Sequence, residues 1–168
     1  TKRWGKSVDS QVCGHGILAA VELYNITNDS SYLEIAKEYA KIVLSCQETN
    51  GFGKDKIRGF FFFFPSHTYT LTYEHRGHEQ SPIHGITKLM QILPNDPEYP
   101  IWLNGINLYK EYILKTIDAS KPYSLLPAHI YQLDKINLIR YSSYGMDKDV
   151  ALNGLKEQIK NGQKIDEH

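Results

Sequence analysis

The sequence predicts an all-α chain of antiparallel helical hairpins, interrupted by one β-rich excursion. Three observations carry this. Apolar residues recur at three- and four-residue steps on both sides of residues 51–74. Short polar breaks separate these segments, as expected where neighbouring helices fold back on each other. Residues 9–24 also lie over residues 78–93 without gaps, so the same hairpin occurs twice.

Residues 1–8 are basic and polar, with Trp4 their only large apolar group. Val12 to Tyr24 reads as a helix capped by Asp9 or Ser10. Its run of Ile17, Leu18, Ala19, Ala20, Val21 and Leu23 predicts burial on most sides. Asn25 to Ser30 is the break. Ser31 and Glu34 have capping-box spacing, and a second helix follows to about Glu48. Tyr32, Ile35, Ala36, Tyr39, Ile42, Val43 and Cys46 form its apolar stripe, with Lys37, Glu38 and Lys41 between them. Asn50-Gly51 is the stop.

Residues 51–74 break the helical period. Phe60 to Phe64 is a five-phenylalanine run ended by Pro65, and Thr68 to Tyr73 is β-branched and aromatic. Both read as short strands, a small β-hairpin-like excursion near residues 59–74 turning at Pro65-Ser66-His67. A helix from about Gln80 to Leu93 comes next. Asp96 is placed to cap its successor, Pro97 suits a first helical position, and that helix runs to about Ile117. Its apolar side is Ile101, Trp102, Ile106, Tyr109, Tyr112 and Ile113. Residues 119–145 are irregular, and a last amphipathic helix is expected over about Asp147 to Lys160.

The 168 residues make one domain, or a piece of one. The 19 basic and 19 acidic side chains balance, which argues against a nucleic-acid binder. No apolar run approaches the roughly 18 residues of a membrane span. The chain opens at Thr1 without a secretory signal pattern, which suggests a processed protein or an excised piece. With 12 Tyr and 2 Trp it suits planar polar ligands such as sugars, although aromatics also simply fill helical cores. Cys13 and Cys46 lie equally far from the first hairpin's turn. They are expected as two buried free thiols, with a bridge as the alternative. Asn25-Ile26-Thr27 and Asn28-Asp29-Ser30 fit glycosylation sequons but serve as turn residues otherwise.

In the repeat, Gln11 meets Gln80 and His15-Gly16-Ile17 meets His84-Gly85-Ile86. After one inserted residue, Leu33 meets Leu103, Tyr39 meets Tyr109 and Leu44 meets Leu114. A helical glycine costs about 1 kcal/mol relative to alanine, so Gly16 and Gly85 imply close helix approach. His15 and His84 then read as structural groups bonded between adjacent inner helices.

These residues resemble a known architecture. The Cys13-Gly14-His15-Gly16-Ile17 start, the turn through Thr27 to Leu33 and the surface helix around Ala36-Lys37-Glu38-Tyr39-Ala40 are similar to one unit of the six-hairpin (α/α)6 toroids. Those rings belong to many glycoside hydrolases, uronidases, sugar epimerases and polysaccharide lyases. The resemblance covers about residues 9–118. It implies a carbohydrate-active hydrolase domain, probing a poly- or oligosaccharide in a cleft at the mouth where the 51–78 excursion would lie. Two hairpins and a partial third fall short of a full ring, so residues 1–168 are expected to be one helical domain of a larger toroid, in contact with the remainder of the parent chain. A secreted or periplasmic setting is favoured over a cytoplasmic one.

That mouth gathers the stretch His75-Arg76-Gly77-His78-Glu79-Gln80. Glycoside hydrolysis needs two carboxyl groups roughly 5–9.5 Å apart. The candidates are Asp9, Glu74 and Glu79, with Glu79 the first choice and His78 beside it. Arg76, His75, Tyr69, His67, Trp4 and Tyr73 are the substrate-binding candidates. A lyase or epimerase would use the same stretch differently: a His or Tyr removes the proton α to a carboxylate that Arg76 holds. A non-enzymatic scaffold or glycan-binding module is the third reading, with Glu79 a first-turn acid and Asp9 an N-cap. His75, His78 and Glu79 lack the His-Glu-x-x-His spacing, so neither metal nor cofactor is expected. Cys13, at the start of a buried helix, is a poor nucleophile.

Overall fold

The computed structural model describes residues 9–51, 56–67, 70–71 and 80–126. All of them belong to one compact unit, Thr1–Ile130; a second unit, Tyr131–His168, lies outside the described residues, and with it the expected last helix. The described part is mainly helical. Its four helices are α1 (Ser10–Thr27), α2 (Ser31–Ser45), α3 (Ser81–Ile92) and α4 (Tyr99–Ala119).

The helix ends follow from local chemistry. Asp9 has extended backbone and its side chain accepts from Val12 N at 2.7 Å, so it is the cap of α1. Asn28 ends α1 in the left-handed conformation, its N–H donating to Tyr24 O. The capping box expected at Ser31 and Glu34 does not form. Ser31 is already helical, and Asp29 Oδ1 accepts its N–H at 2.9 Å from outside the helix. The start of α4 is displaced in the same way. Asp96 Oδ1 takes the N–H of Glu98 at 2.8 Å, and Pro100, not Pro97, occupies the first turn. The second helix stops at Ser45, well before Asn50-Gly51.

α1 is the centre of the described unit, packing along both α2 and α3. It runs parallel to α3: Ser81 Oγ donates to Gln11 O at 3.1 Å, and one turn later Gly85 faces Gly14 and Ile17. A Cβ on Gly85 would lie 2.6 Å from Gly14 O, and one on Gly14 would strike the Ser81 carbonyl. The two backbones therefore touch, which only glycine permits. The repeat-matched Gly16 has another neighbour, the Tyr39 ring of α2. Its match to Gly85 preserves close approach but not its direction.

The main core joins Cys13, Ile17, Val21, Val43, Cys46, Ile86, Leu89 and Trp102. Three expectations need correction. α1 is not buried on most sides: Val12, Leu23 and Ile26 are exposed, Ile26 by 80%. Ile35 and Ile101 likewise face solvent although their spacing placed them inward, as do Leu103 and Leu114, the repeat partners of Leu33 and Leu44. His15 and His84 are exposed, not bonded between inner helices. Repeat positions match in sequence, yet α4 packs less closely on α3 than α2 does on α1, so its equivalent leucines stay uncovered.

The phenylalanine run is extended, and its side chains alternate as a period of two requires. Phe61 enters the main core. Phe60 and Phe62 turn the other way, onto Tyr112 of α4. No strand forms among the described residues; isolated antiparallel bridges join Gln47 to Phe61 and Phe62 to Thr70. The chain does reverse at Phe64–His67, where His67 N donates to Phe64 O at 3.0 Å. The run is instead tied to its surroundings. Glu48 N donates to Phe60 O, Phe62 N to Cys46 O, Leu71 N to Phe61 O and Ser10 N to Phe63 O, all within 2.8–2.9 Å.

Candidate functional site

The starts of α1 and α3 and the end of α2 share one end of this unit, and the phenylalanine segment is fastened across it. Ser10 supplies two of the fastenings, through its N–H to Phe63 O and its Oγ to Phe62 O at 2.7 Å. Gln47 supplies two more: its Nε2 donates at 2.9 Å both to Gly59 O and to Gly105 O of α4. Gly59, at φ +97, sits directly against the Leu108 carbonyl, and a side chain there would collide with it.

Two candidates from the sequence lie among the described residues at this end. Asp9 is half-buried and spends one oxygen on the α1 cap. His67 is held on three sides. Its ring stacks on Phe62, with centroids 4.3 Å apart and planes 18° from parallel. Its Nε2 lies 2.9 Å from Ser45 O; a carbonyl only accepts, so Nε2 carries a proton. Its Nδ1 is 4.0 Å from Glu48 Oε2. Protonating Nδ1 would create an ion pair there.

Glu48 was not expected as a participant. It is a carboxylate only 8% exposed. Its Oε1 accepts the N–H groups of Asn50 at 2.8 Å and Gly51 at 3.1 Å, which shapes the turn leaving α2. The sequence places it at the end of the second helix, which is expected to run to about Glu48. The helix stops three residues earlier, and that stop is what carries the side chain inward.

The remaining candidates, Glu79, His78, Arg76, His75, Tyr69, Tyr73 and Trp4, lie outside the described residues, as does Glu74. Residues 72–79 link Leu71, buried on the phenylalanine segment, to Gln80 at the start of α3. The chain therefore enters and leaves the stretch at the same end as Asp9.

Cys13 and Cys46 are free, fully buried thiols. Burial pushes each up to about 12, and the nearby Asp9 charge acts in the same direction. Both stay protonated at neutral pH, which removes them as nucleophiles. Among the described residues no group of three or more His, Cys, Asp or Glu side chains converges to hold a metal ion, and no helix is long and apolar enough to cross a membrane. No protein-family model, curated protein or solved structure matches this chain.

Proposed function

We propose that this chain is a carbohydrate-active domain of the helical-hairpin kind, cleaving glycosidic bonds in a poly- or oligosaccharide with Glu79 as acid or base. One observation supports the reading above the others. α1 and α3 run parallel with their starts side by side, and the segment between α2 and α3 is anchored at that same end. The stretch 75–79 joins that anchored segment to α3. It brings a carboxylate, an arginine and two histidines, a set able to exchange protons and grip sugar oxygens. His78 would tune the Glu79 proton, and Arg76 and His75 would hold substrate hydroxyls or a carboxylate.

A second reading, a non-catalytic scaffold or glycan-binding module, is favoured by Asp9 and His67. Both have structural duties: one caps α1, the other bonds Ser45 O. A panel of poly- and oligosaccharides separates the readings. Hydrolysis releases reducing ends without an unsaturated product. A lyase gives an ultraviolet-absorbing unsaturated sugar. Binding without either product leaves the module, and neither product nor binding across the panel ends the carbohydrate reading.

A further inference from the structure

A pocket of about 310 Å³ opens between the turn leaving α2 and the C-terminal half of α4. Its walls are Asn50, Lys56 and Arg58 on one side and Glu111 and Lys115 on the other. The volume is at the lower end of the range for small-molecule sites, roughly 300–1,000 Å³. A single sugar ring or a molecule of that size fits.

Among the described residues the lining carries three cationic side chains and one carboxylate. That carboxylate is already engaged. Arg58 Nε and Nη2 both lie 2.8 Å from Glu111 Oε2, so the guanidinium and the carboxylate meet across the pocket wall. This bond uses two of the five guanidinium N–H groups. Glu111 balances the Arg58 charge, and three guanidinium N–H groups remain for a second partner. Lys56 and Lys115 add ammonium groups, and Asn50 adds an amide able to donate. Lys56 sits at a turn in the left-handed conformation, two residues before Arg58, and both line the pocket.

We propose that this pocket binds an oxyanion carried by a small polar molecule: the carboxylate of a sugar acid or the phosphate of a phosphate ester. The shared chemistry is a delocalised negative oxygen pair meeting Arg58, with Lys56 and Lys115 as flanking charges. The inference rests on the pocket alone and not on the carbohydrate reading.

Calorimetric titration of the full chain with glucuronate, inorganic phosphate and glucose tests it. Saturable binding of glucuronate, phosphate or both is expected, with glucose silent. Phosphate alone would select the phosphate ester, and glucuronate alone the sugar acid. Lys56→Met with Lys115→Met should weaken binding about tenfold or more, since bonds to charged groups are of that strength. Its circular dichroism should match the parent because both side chains are exposed. Lys115→Gln alone provides the same readout at smaller amplitude. Absence of saturable binding by both anions overturns the proposal. So does glucose binding as well as glucuronate, or variants that bind like the parent.

Discussion

Asp9 illustrates how one side chain can be claimed by two roles. Its bond to Val12 N is an N-cap, and losing such a cap costs about 0.5–2 kcal/mol. Asparagine keeps the accepting oxygen but not the acid. Asp9→Asn should therefore stay within a few tenths of a kcal/mol of the parent in urea unfolding, while Asp9→Ala loses about 1 kcal/mol. Equal losses in the two variants would exclude capping as its structural role. The two thiols give a second residue-scale expectation. Their ordinary value of 9.0 is raised to about 12 in the folded state. The unfolded chain thus sheds these protons first as pH rises. Their contribution to stability is complete below pH 9 and declines through the window from 9 to about 12. Urea midpoints measured across that window should fall less steeply in Cys13→Ala/Cys46→Ala than in the parent. Thiol reagents at neutral pH should label both cysteines only in denaturant.

Among the elements, the α1–α3 crossing is the tightest contact. Alanine at position 85 would gain about 1 kcal/mol of helix propensity. It would also push a methyl to 2.6 Å from Gly14 O, a backbone atom that cannot swing aside. Overpacking of this kind typically costs about 1–3 kcal/mol, so Gly85→Ala should be net destabilising in urea unfolding. A neutral or stabilising result would mean that the helices are further apart. In the phenylalanine run the alternation decides the outcome. Phe61→Ala empties a fully buried site and should cost about 3–5 kcal/mol. Phe64→Ala, at a half-buried position, should cost less than half as much.

The helices themselves were legible because their apolar spacing is local information. Their ends were less so. Asp29 works from just outside the helix, where spacing rules favour Ser31; Asp96 accepts an N–H before α4 as expected, but the helix starts at Tyr99 rather than Pro97. The expected β-hairpin is not shown, for a similar reason. Alternation makes the run extended, but beside its bond from Leu71 its hydrogen bonds go to Cys46, Glu48 and Ser10, partners that only tertiary folding supplies.

On the scale of the molecule, the two hairpins share one buried seam and one fastened end. The solvent-facing apolar residues on α1 and α4 show that an apolar pattern overstates burial: even the central α1 is covered only where α2 and α3 pack on it. The candidate site was legible only as a cluster of reactive residue types between Leu71 and Gln80. The anchoring of that cluster's flanks, the inward Glu48 and the cationic pocket all depend on contacts between distant segments. His67 is a substrate-binding candidate in the sequence from its place at the turn of the excursion. Its bond to Ser45 O and its stack on Phe62 arise from the fold.

The most direct test of the carbohydrate reading is the rate of glycosidic bond cleavage by Glu79→Gln beside Asp9→Asn, both in the full-length protein and both checked for parental unfolding midpoints. Glu79 as acid or base predicts a fall of about a hundredfold or more for Glu79→Gln, with Asp9→Asn close to the parent. Unchanged turnover in Glu79→Gln would contradict it.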